Sequence, residues 1–240
     1  MRNEAQRGAS QRDHVLLHQT GTDIWECQSP HRVMGMELGR RLTVVRLPSG
    51  RLWAHASLPP DAPLKAQLDG LGRLGAIVGP NCMHDDFLPE FAAAYPQAQF
   101  HAAPGLPQNN RALPPATLLT DDPPEEWEGV LEHHLVRGMP KLNEVVFFHR
   151  PSASLIIADL AFNLRPPKPW LTRVVMRMNG SYNRFAPSRF ARSLISDRAA
   201  FSESIGRILR WDFRRIVVGH GENVEGEARR TFEGAFTSIR

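Results

Sequence analysis

At 240 residues, with 42% hydrophobic and 22% charged side chains, the chain can bury a substantial core, and its composition is that of a soluble globular protein rather than a disordered or fibrous one. The net charge of +4 is mildly basic, but the Arg residues spread between Arg165 and Arg240 are interleaved with Glu and Asp and form no long basic run, which argues against nucleic acid as a partner. Two cysteines, Cys27 and Cys82, without any Cys-x-x-Cys pair, exclude a zinc ribbon or dithiol redox motif and suit a reducing compartment.

Met1 to Asp13 is polar and charged and has no apolar core, so it reads as a flexible tail and not as a secretory signal. No apolar stretch approaches the ~20 residues that span a bilayer. The expectation is a cytoplasmic protein with no membrane partner, in which residues 14–240 form a single domain.

In chain order, Asp23–Glu26 reads as an edge strand. Arg41–Leu47 is rich in β-branched residues, and Pro48-Ser49-Gly50 turns it back into Arg51–Ala56, a hairpin. Asp61 caps a short helix with Leu64, Leu68 and Leu71 at helical spacing. The apolar run Ala76-Ile77-Val78 reads as a buried strand that Gly79-Pro80-Asn81 stops. His84, Asp85 and Asp86 follow at once. Phe87, Leu88, Phe91 and Tyr95 then mark an amphipathic helix, which Asp85 or Asp86 is placed to cap. Ala98–Ala102 is the next strand. This alternation of strand and helix is the pattern of an α/β sheet.

Residues 105–126 read as loops. Trp127–Val136 and Glu144–His149 are extended, and Ser154–Asp159 is an apolar strand ending in a carboxylate. From Pro166 the composition turns helical, through Trp170–Phe185, a stretch from Pro187 to Leu194, and Phe201–Phe213. Arg215–Val218 is a short strand ended by Gly219-His220-Gly221, and Glu225–Ile239 is a closing amphipathic helix.

Three apolar strands therefore end in residues that ligate metals: His84, Asp85 and Asp86; Asp159; and His220. Ligands of open α/β sheets sit at the carboxyl ends of strands. Imidazole with carboxylate is a donor set for Zn, Mn or Fe. Asp159 is the sharpest case, because a carboxylate at the end of an apolar strand is costly unless it is paired or ligated. His220 stands between two glycines that let the backbone bend tightly around it. Of the other histidines, His55 and His101 read as structural, at most one of His133 and His134 points inward, and His149 reads as a surface residue. Cys82 reads as a small buried hydrophobe. No phosphate-binding glycine loop and no nucleophile elbow is present.

This order of landmarks resembles the metallo-β-lactamase fold, and more narrowly the DUF4336 branch of that superfamily. The phrases that carry the resemblance are Leu42–Leu47, Gly79-Pro80-Asn81 with His84, Tyr95-Pro96, Pro104-Gly105-Leu106, Glu144–Pro151, and Asp159–Asn163. It covers roughly Asp23 to Ile239, on the size expected of one such domain, and implies a four-layer αββα sandwich with the site at one edge of two sheets. Laid on the His-x-His-x-Asp-His loop of that superfamily, Asn81 and Met83 take the first two His positions and Asp86 the last. Only Asp85 is in register, His84 is displaced by one place, and no His occurs near Gly138–Lys141. The resemblance thus implies a degenerate site: one divalent metal held by some of His84, Asp85, Asp86, Asp159 and His220, or none. Two readings follow. One is a metal-dependent hydrolase of a small-molecule substrate, with Asp85 or Asp86 as catalytic base and Arg184 or Arg189 favouring an anionic substrate. The other is a catalytically inactive binding or interaction domain on the same scaffold.

Overall fold

A computed structural model describes residues 16–239, and the tail expected over residues 1–13 lies outside the described residues. The strands are β1 (His18–Gly21), β2 (Ile24–Ser29), β3 (Arg32–Val33), β4 (Met36–Glu37), β5 (Arg40–Arg46) and β6 (Leu52–His55). Helix α1 (Ala62–Leu71) follows, then β7 (Leu74–Gly79), α2 (Leu88–Ala94), β8 (Gln99–Ala102), α3 (Leu106–Asn109) and β9 (Thr117–Leu118). The remaining elements are β10 (Leu131–Leu135), β11 (Val145–His149), β12 (Ser154–Ile157), α4 (Trp170–Met178), α5 (Arg189–Ser193), α6 (Arg198–Ile208), β13 (Arg215–Val218), β14 (Val224–Glu225) and α7 (Ala228–Phe236).

One sheet has the order β1-β2-β5-β6-β7-β8-β9 and the other β10-β11-β12-β13-β14, while β3 and β4 form a separate small hairpin. Strand alternation explains the layering. In β11, Val146 and Phe148 face outwards and pack with Phe201 and Ile205 of α6 and with Phe232 and Phe236 of α7. Their neighbours Val145 and Phe147 face inwards and meet Trp53 of β6 and Ala76 and Val78 of β7. On the far side, Leu52 and Ile77 pack against Leu64 and Leu68 of α1 and Phe91 of α2. Helices thus cover both outer faces, giving the four αββα layers that the resemblance implies. As expected, Asp61 caps α1, its side chain accepting from Leu64 N at 2.9 Å.

Several expectations are corrected. The strand at Asp23–Glu26 is not at an edge, because β1 pairs outside it. The long helical stretch from Trp170 ends at Met178. Asp85 and Asp86 cap nothing: Phe87 occupies the N-cap of α2, with a positive φ and no side-chain cap bond. His149 is fully buried, since it shares the inward parity of Val145 and Phe147. Its Nδ1 lies 2.7 Å from Ser152 Oγ, while His55, His101 and His133 lie between the sheets among Trp53, Trp127 and Phe147.

Near one edge the two sheets are joined by charge. Glu26 of β2 is buried and takes Arg41 of β5, Arg215 of β13 at 2.6 Å, and Asn223 at 2.8 Å. Burial pushes its carboxyl up, but the two guanidinium charges and the hydrogen bonds from Asn223 and Thr20 outweigh this and hold it below the usual value. Removing one member of such a set leaves buried charge uncompensated. Glu26→Ala is expected to cost about 3–5 kcal/mol in urea unfolding.

The inter-sheet imidazoles set an acid limit. Burial lowers His55 to about 3, and His101 and His149 to about 4, from the usual 6.5. The unfolded chain therefore takes up these protons first, so stability is full above about pH 6.5 and falls as pH drops from there towards 4. Thermal melts across that window are expected to show the decline, with a shallower slope for His101→Asn or His149→Gln.

Candidate metal centre

β7, β12 and β13 end at one rim. β12 and β13 are adjacent and parallel, so Asp159 and His220 leave them side by side. The loop after β7 is tied to the other sheet by Val145 N donating to Pro80 O and Cys82 N to Leu142 O, both at 2.8 Å, and this brings His84 across. Both glycines around His220 are required by space. A Cβ on Gly219 would lie 2.9 Å from Ala158 O, and Gly221, at φ +95, would place one 2.3 Å from Asn163 O.

The result is a cluster of three. His84 Nδ1 lies 3.1 Å from Asp159 Oδ2, and His220 Nε2 lies 3.1 Å from Asp159 Oδ1. One donor atom from each residue falls within 4.8 Å of the other two. Burial disfavours ionisation of Asp159, but His84 and His220 outweigh it and hold the carboxyl well below the usual range. His84 is lowered to about 4, chiefly by burial and then by the charge of Arg40, against the opposing pull of Asp159.

Behind the cluster stands Glu144, fully buried. Its Oε1 accepts from Ala158 N at 2.8 Å, and its Oε2 from Asp159 N at 2.7 Å and Asn81 Nδ2 at 2.9 Å. Asn81 Nδ2 also donates to Asp159 Oδ2 at 2.9 Å. Burial and the nearby Asp159 push Glu144 up to about 8, against the three N–H groups that favour its charged form.

Asp85 and Asp86 lie outside the cluster. Asp85 accepts from Asn110 Nδ2 at 2.7 Å. Asp86 Oδ2 pairs with Arg40 Nη1 at 3.2 Å and His31 Nε2 at 3.0 Å. Cys82 is turned away, with its Sγ 3.2 Å from Pro104 O and its thiol pushed up by burial. Above the cluster opens a cavity of about 520 Å³. Asp159, His84, His220, Asp86 and Arg40 form its polar floor, while its walls are apolar, among them Met36, Leu38, Phe162 and Met176. Arg184 and Arg189 do not line it, so the cation of this site is Arg40, which the sequence reading did not single out. A charged residue opening a β-branched strand gives no sign of being 2% exposed. Glu144 went unnoticed for the same reason: nothing before an apolar strand announces a buried carboxylate.

In sequence, residues 21–184 match the family described as Domain of unknown function (DUF4336). The chain belongs to the DUF4336 family. No curated protein matches it in sequence. In fold it is similar to a metallo-β-lactamase from Pontibacter korlensis, at 16% identity and TM-score 0.63, covering 93% of this chain and 99% of that one. It is likewise similar to the metallo-β-lactamase FIM-1 from Pseudomonas aeruginosa in its mono-zinc form, at 14% identity and TM-score 0.61, with 94% and 96% covered. The flavodiiron core Flv1 from Synechocystis sp. PCC6803 gives 11% identity and TM-score 0.65, with 94% of this chain and 60% of that one covered. These likenesses establish the metallo-β-lactamase fold. Within this DUF4336 member, Asn81 acts as a buried bridge between Glu144 and Asp159, and Met83 lies exposed at the cavity.

Glu144→Ala strips the acceptor from three buried donors at once, each costing about 1–3 kcal/mol. A loss of at least about 3 kcal/mol in denaturant unfolding is expected, well beyond that of Asp85→Ala, whose partner Asn110 is not buried.

Proposed function

We propose that the chain is a metal-dependent hydrolase that holds one divalent ion, Zn, Mn or Fe, between His84, Asp159 and His220. The observation that carries this reading is the orientation of His220 towards Asp159 and His84. Its Nδ1 faces the carbonyl oxygen of Gly39, which can only accept, so Nδ1 carries a proton and Nε2 is turned to the cluster. Its Nε2 faces an oxygen of Asp159 at 3.1 Å, a contact that needs a proton or a metal cation between the two atoms. Two imidazole nitrogens and a carboxylate form a donor set that suits Zn, Mn or Fe, and the backbone carbonyl fixes the ring as an outer partner does in metal sites. When bound, the ion lowers the pKa of water and polarises a carbonyl or phosphoryl oxygen.

The chain's own groups complete the site. Asp86 is the carboxylate placed to take a proton at the floor, since Arg40 and His31 engage its Oδ2 and leave Oδ1 without a partner among the described residues. Asp85, engaged by Asn110, has no such position. The apolar walls exclude water and favour a substrate with an apolar body, such as an acyl ester, thioester or lactone.

One observation favours the alternative, a binding domain without catalysis. Asp159 Oδ2 already accepts from Asn81 and faces His84, so the floor is closed by hydrogen bonds in their own right.

Elemental analysis of the purified chain, with a screen of ester, thioester, lactone and phosphoester substrates, separates the two. The hydrolase reading expects stoichiometric metal and hydrolysis, both lost in Asp159→Asn and His220→Ala. Asn81→Ala is expected to weaken metal affinity about 10–100-fold, as loss of an outer partner does. A folded wild-type chain that takes up no metal and hydrolyses nothing leaves the binding-domain reading.

A further inference from the structure

Between Leu160 and Ser196 the chain carries seven Lys or Arg residues and no Asp or Glu. That exceeds the net charge of the whole chain, +4, so the remainder is net acidic, and the interleaving with carboxylates begins only at Asp197. Among the described residues, none of the seven cations is ion-paired with a carboxylate.

The same region gathers the exposed apolar surface. Seven of the nine large apolar side chains exposed among the described residues lie on α4, α5, the β3–β4 hairpin or at Met83. The most exposed are Met34 at 90%, Trp170 at 68%, Met178 at 67% and Phe190 at 57%. In α4, Thr172 and Met176 face the protein: both are buried, and Thr172 Oγ1 accepts from Glu37 N at 2.9 Å. Trp170, Val174 and Met178 repeat at the same four-residue spacing two positions away, about 200° around the helix, and therefore form its outward face. Met34, Met83 and Phe190 also line the cavity, so this surface is continuous with the mouth of the site.

We propose that the face formed by α4, α5 and the β3–β4 hairpin docks on an anionic lipid surface, with the cavity mouth turned towards the bilayer. A helix with Trp and Met on one side and Arg beside them lies in a membrane interface, held by buried apolar area and by attraction to anionic headgroups. No described helix is long and apolar enough to cross a membrane, so the contact is peripheral. The other occupants satisfy only half of the surface. A nucleic acid would pair the Arg residues but leave Met34 and Met178 in water, and a second copy would set two unpaired basic faces against each other. Docking stands independently of the metal-dependent reading. If both hold, an acyl-bearing substrate passes from the bilayer into the apolar cavity without crossing water.

The test is co-sedimentation of the full chain with vesicles of phosphatidylcholine alone and of phosphatidylcholine mixed with phosphatidylglycerol, in chelator, at low and high salt. Binding is expected to the mixed vesicles, to weaken with salt, and to be slight on phosphatidylcholine alone. Arg173→Gln with Arg189→Gln is expected to reduce it about 25-fold, roughly fivefold for each cation near the surface. Trp170→Ser with Met178→Ser is expected to reduce it at least about tenfold. All four side chains are exposed, so the fold is retained. Absence of binding overturns the proposal. So does binding that the Trp170 and Met178 replacements leave unchanged while duplex DNA competes it away, which is general polyanion attraction. A dimer that the same replacements disperse overturns it in favour of a second copy.

Discussion

The carboxylate of Asp159 holds together residues that are 75 positions away on one side, at His84, and some sixty on the other, at His220. Each of its oxygens meets a different imidazole, and each imidazole comes from a different sheet. This works only if two separately built sheets are held in register at their rims. Backbone hydrogen bonds across the gap do this: Val145 N to Pro80 O, Cys82 N to Leu142 O, and Arg41 N to Gly219 O. Side-chain contacts adjust nothing here unless those links fix the three loops first.

The His220 loop is the most constrained of the three. Gly221 O accepts from Arg41 Nη2 at 2.7 Å and from Gln28 Nε2 at 2.8 Å, and Asn223 donates to Glu26. The loop belongs to one sheet, yet β2 and β5 of the other determine its path. The buried set of Glu26, Arg41 and Arg215 thus serves the site as well as the fold. A buried ion pair is weak as a source of stability compared with apolar packing. Its use here is to orient the donors, since guanidinium forks fix carbonyls and carboxylates in direction as well as distance.

Much of this was legible in the chain. The β-branched run Arg41–Leu47, the extended run Glu144–His149, the Pro-Ser-Gly turn and the apolar runs at Ala76–Val78 and Leu155–Ala158 mark the strands that carry the site. Asp159 and His220 stood out because a polar residue ending an apolar strand needs a partner. What stayed hidden was whatever depends on strands meeting from opposite halves. His149 looked like a hairpin-end surface residue, because parity gives a side and not the layer that side faces. Arg40, Glu26 and Glu144 drew no reading of their own, because their burial is created by elements far away in sequence. Asp85 and Asp86 were read as ligands because they follow the same strand end as His84, yet the loop turns both to other partners and leaves His84 alone of the three to face Asp159.

Charge at the cavity floor supports the proposal of one divalent ion. At the floor the carboxylates of Asp86 and Asp159 act on the buried guanidinium of Arg40, and Asp85 acts on it from outside the cavity. Two carboxylates against one guanidinium leave the floor with an excess of negative charge that favours a bound cation. Above this floor the walls are apolar, with Met34, Met36, Met83 and Met176 among them. Flexible thioether side chains adapt to the shape of an apolar guest, and an apolar guest that displaces water strengthens every electrostatic interaction beneath it. The apolar walls and the polar floor therefore act together: the part of a ligand that reacts is decided by the floor, and the strength of the floor is decided by what the walls have excluded.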